Sequence, residues 1–114
     1  MKAVVFRKDI GLVYEEVPDY TLAPDEVLVK VANTGFCGSD HSLVSGGLLP
    51  DGYIIGHEIS GVEAEKGDQA GGPAVGTRVC IRPTYCGKCA NCLSGKQHLC
   101  RVHRRTVGIG DLPG

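Results

Sequence analysis

Four cysteines, Cys86, Cys89, Cys92 and Cys100, fall within fifteen residues of a 114-residue chain that carries six cysteines in all. Their spacing is C-x2-C-x2-C-x7-C. Two-residue gaps let successive thiolates converge on one tetrahedral zinc ion with Zn–S distances of about 2.3 Å. Four sulfurs close the shell, so such a site holds structure and leaves no open position for a reaction. Gly87 helps the backbone curl under a metal. Disulfides are the competing use of cysteine. The opening Met1-Lys2-Ala3-Val4-Val5-Phe6 has an apolar run far too short for a secretion signal or a membrane span. The expectation is therefore a reducing, cytoplasmic setting and no membrane partner, where metal binding is favoured over disulfides. Iron–sulfur clusters also take four cysteines, but the seven-residue gap fits the common ferredoxin runs poorly. Cys80 sits in a strand-like stretch and reads as a buried core thiol.

Two further segments carry ligand-type side chains: Gly35-Phe36-Cys37-Gly38-Ser39-Asp40-His41 and Gly56-His57-Glu58-Ile59-Ser60-Gly61. Zinc accepts both a thiolate and an imidazole, and a catalytic zinc takes three protein ligands with a fourth place open. On residue chemistry alone the pairing of Cys37 with His57 stays open. A lone cysteine is most often core, and a histidine beside a glutamate is most often surface polar.

The elements that must position these groups are mostly short strands. Seventeen glycines in 114 residues point to many turns. With two Phe, four Tyr and no Trp, the core must come from Val, Ile, Leu and Ala. Val4–Phe6 and Leu12–Val17 read as strands joined through Asp9-Ile10-Gly11 as a hairpin. Pro18 to Pro24 reads as a connector. Glu26 to Ala32 alternates, with Val27, Val29 and Val31 on one face. Residues 33–53 read as loop, with at most a helical turn near Asp40 to Val44. Ile59–Ala64, Thr77–Arg82 and the start of Val107–Ile109 read as further strands, separated by a polar turn from Lys66 to Pro73. No long amphipathic helix and no internal repeat is visible. The pattern predicts one mainly β domain over 1–114 with little helix and a cysteine lobe, about 84–105, inserted between strands.

The net charge of −1 hides an asymmetry, because all the acidic residues except Asp111 fall within residues 1–68. A basic half can mark a nucleic-acid or protein partner, with Arg101, Arg104 and Arg105 as phosphate contacts of a stand-alone zinc module. The alternative is local: four thiolates on Zn2+ leave a net −2, which Lys88, Lys96 and Arg101 would offset. The arginines lack interleaved aromatics, which argues against single-strand binding. A third reading is a structural fragment whose exposed apolar surface meets another domain.

Together these segments resemble the zinc-containing medium-chain dehydrogenases, the family of alcohol, sorbitol and threonine dehydrogenases. The family pattern G-H-E-x2-G-x5-G-x2-small is matched by Gly56, His57, Glu58, Gly61, Gly67 and Ala70. Its C-[GS]-[ST]-D element is matched by Cys37, Gly38, Ser39 and Asp40, and its four-cysteine loop by the lobe, all in the family's order. The resemblance implies a GroES-like, partly open β barrel with a protruding zinc lobe. It implies Cys37 and His57 as catalytic zinc ligands, Glu58 as an alternating ligand, Asp40 as the partner fixing the His57 tautomer, and Ser39 as the contact to the substrate hydroxyl. It implies oxidation of an alcohol or polyol with NAD or NADP, in a parent expected to be a homo-oligomer. The family histidine expected two residues after Asp40 is Ser42 here, and the nearby histidine is His41, so the proton relay runs through His41 or through water. Gly38 stands where some relatives carry a basic cofactor contact, which leans towards the polyol and threonine types. No glycine-rich phosphate loop follows a strand, and Gly108-Ile109-Gly110 opens no helix. The chain thus reads as the front of a longer protein, lacking the Rossmann domain and the third catalytic ligand, and inactive alone.

Overall fold

A computed structural model describes residues 1–82, 85–102 and 107–108. Strands β1 (Lys2–Arg7) and β2 (Gly11–Glu16) form the expected hairpin, with Arg7 opposite Gly11. The Met1 ammonium ties the far end, donating to the Val17 carbonyl at 2.8 Å and to Asp19 at 2.7 Å. β3 (Val27–Gly35) leads to helix α1 (Gly38–Ser45). β4 (Tyr53–Ile54), β5 (Glu58–Lys66), β6 (Arg78–Cys80) and the short helix α2 (Ala90–Leu93) follow. The strands make two three-stranded antiparallel sheets, ordered β2-β1-β4 and β3-β5-β6. Among the described residues no helix is longer than the eight of α1, and none is long and apolar enough to cross a membrane. The mainly β expectation holds.

The core is small and aliphatic, as the composition requires. Phe6 of β1, Leu49 and Ile55 form a buried cluster, and Leu43 and Val44 of α1 pack against it with Tyr53. This packing fixes α1 and turns its Asp40 inward. The two sheets face each other across an apolar cavity of about 560 Å³, lined by Val4, Tyr14, Val29 and Ile59 and reaching Phe36 and Asp40. An open interior of this kind is what a partly open barrel leaves between its sheets.

Close packing of β5 on β3 explains one glycine of the histidine motif. A Cβ at Gly61 would collide with the Lys30 carbonyl across the pair. At the end of β5, buried Glu63 lies 3.2 Å from Lys66, whose ammonium also bonds the carbonyls of Gly72 (3.2 Å) and Pro73 and so closes the polar turn.

Two expectations are corrected. Cys80 is exposed, not a core thiol, because β6 is a three-residue edge strand paired on one side only. The strand expected over Glu26 to Ala32 is present as β3, an edge strand with register shifts at Leu28/Val29 and Val31/Asn33, in which Val31 is half exposed. The helical turn near Asp40 is two turns long because Cys37 and Asp40 cap it. Ile109 of the last strand expectation, the outer ends of the 84–105 lobe, Arg104 and Arg105 lie outside the described residues.

Candidate metal centres

The first centre is built at the N-terminus of α1. Cys37 is the N-cap residue, and its sulfur accepts the Ser39 N–H at 3.3 Å. Asp40 completes a capping box by accepting the Cys37 N–H on Oδ2 at 2.9 Å. The other oxygen, Oδ1, lies 3.2 Å from His57 Nδ1. Asp40 is 1 % exposed, so its carboxylate is committed to these two partners. The other ring nitrogen of His57, Nε2, lies 3.3 Å from Cys37 Sγ. Sulfur and nitrogen bound tetrahedrally to one zinc stand about 3.5 Å apart. Cys37 and His57 are therefore spaced as two ligands of one ion, with Asp40 as the support of both. The helix N-terminus adds positive partial charge at the Cys37 sulfur.

His57 reaches this place because it directly precedes β5. The Gly56 N–H beside it donates to the Gly108 carbonyl at 3.2 Å. Gly108 is thus a backbone support of the histidine segment, a role that no sequence pattern announced. Glu58, the first residue of β5, is not drawn into the Cys37–Asp40–His57 group. It is exposed, and its carboxylate lies against the backbone of Gly35. Ser39 and His41 are exposed on the first turns of α1, with His41 Nε2 3.5 Å from Ser45 Oγ. Ser42 turns back to the helix and donates to the Gly38 carbonyl at 2.9 Å.

The second centre is the lobe. The sulfurs of Cys86, Cys89, Cys92 and Cys100 lie within 4.8 Å of one another. Four sulfurs on one zinc stand about 3.8 Å apart. The Cys86–Cys92 and Cys89–Cys92 sulfur distances are 3.8 Å and 3.5 Å. Backbone N–H groups converge on the same atoms: Lys88 and Cys89 donate to Cys86 Sγ at 3.4 Å and 3.3 Å, and Cys86 donates to Cys100 Sγ at 3.5 Å. Such donors stabilise negative sulfur. Gly87, at φ 69°, makes the turn that aims them. Burial pushes the Cys92 thiol up to about 12, whereas the Cys92 backbone N–H lowers Cys89. A bound cation would displace the Cys92 proton. The donor set and spacing fit a closed four-thiolate zinc site.

The family described as alcohol dehydrogenase GroES-like domain matches residues 23–114. An L-threonine 3-dehydrogenase from Xanthomonas campestris pv. campestris is 41 % identical over 96 % of this chain and 34 % of its own length. The alcohol dehydrogenase TADH from Thermus sp. ATN1 superposes with a TM-score of 0.84 at 30 % identity, covering 100 % of this chain and 35 % of that one. A cobalt- and zinc-bound thermostable alcohol dehydrogenase from Pyrobaculum aerophilum gives 0.80 at 32 % identity, covering 100 % and 36 %. The chain thus spans about a third of the length of the curated relatives it matches.

Proposed function

Given that the chain belongs to the alcohol dehydrogenase GroES-like domain family, we propose that residues 1–114 are the metal-holding front part of a longer zinc-dependent, NAD- or NADP-dependent dehydrogenase that oxidises an alcohol or polyol. The observation that carries this reading is the Cys37–Asp40–His57 constellation, with Sγ and Nε2 3.3 Å apart and Asp40 buried behind them. When bound there, zinc supplies Lewis-acid polarisation of the substrate oxygen.

The chain's own residues do the rest of the work assigned to it. Cys37 and His57 hold the ion, and Asp40 keeps the His57 proton on Nδ1 so that Nε2 faces the metal. Glu58 is an alternating ligand. The Ser39 hydroxyl, on the first turn of α1, receives the substrate proton and starts its path outward. His41 continues that path towards Ser45. The lobe holds the structural zinc. The third catalytic ligand and the nicotinamide site belong to the further length that the relatives carry, and the whole protein works as a homo-oligomer in the cytoplasm.

The isolated 114-residue chain, loaded with zinc and given NAD or NADP with alcohols, polyols or L-threonine, is therefore expected to show no turnover. Fusion to the remaining two thirds of a threonine dehydrogenase is expected to restore cofactor reduction, and His57→Ala to abolish it again. Appreciable turnover by the isolated chain, or an active His57→Ala fusion, contradicts the reading.

A further inference from the structure

The lobe presents its four sulfurs unequally. Cys92 and Cys100 are buried, at 7 % and 3 % exposed, whereas Cys86 and Cys89 are half-buried. Cys86 and Cys89 line an open cleft of about 380 Å³ together with Lys88 and Val102. A small molecule in solution therefore meets these two cysteines first, and it meets them beside an ammonium group. Behind them, Cys89 Sγ lies 3.5 Å and Cys86 Sγ 3.8 Å from Cys92 Sγ. Cys89 stands at the head of α2 and Cys92 within it. Cys89-Ala90-Asn91-Cys92 is thus a C-x2-C pair with one cysteine at the cleft and one behind it. Closing 3.5 Å to the ~2.05 Å of a disulfide takes a shift of only about 1.5 Å.

We infer that the lobe is a thiol–disulfide switch: Cys89 reacts with an anionic low-molecular-weight disulfide in the cleft, Cys92 resolves the product, and the chain gives up its structural zinc. The Cys89 thiolate attacks one sulfur of the small disulfide R–S–S–R. A Cys89–S–R bond forms, the R–S–S–R bond breaks and one RS⁻ leaves. The Cys92 thiolate then attacks Cys89 Sγ, the Cys89–Cys92 bond forms and a second RS⁻ leaves. Two cysteine sulfurs are oxidised by two electrons, and the small disulfide is reduced to two thiolates. Cys86 and Cys100, left as the only two thiolates, no longer close a four-sulfur shell. Lys88 favours a disulfide that carries carboxylates, because no acidic residue lines the cleft. Loss of the ion unfolds the lobe, and reduction in the presence of zinc restores it. The inference rests on the reading of the lobe as a zinc site.

The test treats the zinc-loaded 114-residue chain, and its His57→Ala variant to confine zinc to the lobe, with glutathione disulfide as the anionic probe and cystamine as a cationic one. Zinc release is followed with a chromogenic chelator, and disulfides are mapped by peptide mass spectrometry. Glutathione disulfide is expected to release the lobe's zinc and to leave a Cys89–Cys92 bond, both reversed by dithiothreitol with added zinc. Lys88→Glu is expected to slow release by glutathione disulfide about tenfold at low salt and not to slow release by cystamine. Cys80, an exposed thiol outside the lobe, reports that the probe is active. A lobe that keeps its zinc while Cys80 becomes a mixed disulfide overturns the inference alone. So does a Cys86–Cys89 or Cys92–Cys100 bond in place of Cys89–Cys92, or a rate that ignores Lys88→Glu. A lobe that holds no zinc before treatment overturns the zinc reading and the switch with it.

Discussion

Cys92→Ser is expected to release one zinc per chain and to unfold the lobe between Cys86 and Cys100 while both sheets persist. The reason is that the lobe has almost no core of its own. Among its described residues only Cys92 and Cys100 are buried, and both belong to the sulfur cluster. Leu93, Leu99 and Val102 are exposed, so the described residues of the lobe offer no apolar burial to replace the metal. Structural zinc contributes about 10–16 kcal/mol to small metal-dependent folds, far more than the few backbone bonds of α2 could supply. Zinc analysis and amide exchange check the result. Protection is expected to vanish across 86–100 and to survive in β5. Retained zinc with protected lobe amides would mean that apolar packing or another ligand holds the lobe.

The second large effect is expected at Asp40. Asp40→Ala removes the partner of the Cys37 N–H and of His57 Nδ1 in one step. Loss of the cap costs about 0.5–2 kcal/mol. Each buried polar group left without a partner costs a further ~1–3 kcal/mol. A combined loss of about 3 kcal/mol lowers Tm by about 12 °C or more in a domain of this size. Because Asp40 also orients the histidine, metal affinity at Cys37–His57 is expected to fall by about 10–100-fold, while the lobe keeps its zinc. A wild-type Tm and an unchanged second-site affinity would show that Asp40 supports neither the helix nor the histidine.

Much of this arrangement is legible in the sequence because it is local. The hairpin of β1 and β2 and the closely spaced cysteines lie within a few residues of one another, where spacing alone dictates geometry, whereas the capping of α1 by Cys37 and Asp40 emerged only from the structure. The contact of Cys37 with His57 is different. It spans 20 residues and depends on α1 docking through Leu43 and Val44, so only the family resemblance foretold it. Cys80 misled because alternation along a strand does not say whether the strand has neighbours on both sides. The bulges in β3 were hidden for a similar reason, since register is set between strands. Gly108 packs against the Gly56 backbone so closely that a Cβ there would collide with the Gly56 carbonyl, a distant partner that no single-sequence pattern names.

The central claim is that Cys37 and His57 form a metal site separate from the lobe. Zinc saturation of the 114-residue chain, followed by metal analysis after removal of free ion, tests it most directly when wild type, His57→Ala and Cys92→Ser are compared. The account predicts about two zinc ions per chain in the wild type and about one in each variant. It further predicts that the zinc left in His57→Ala is held by a fully protected lobe. A wild type that binds about one zinc, unchanged by His57→Ala, would contradict the claim.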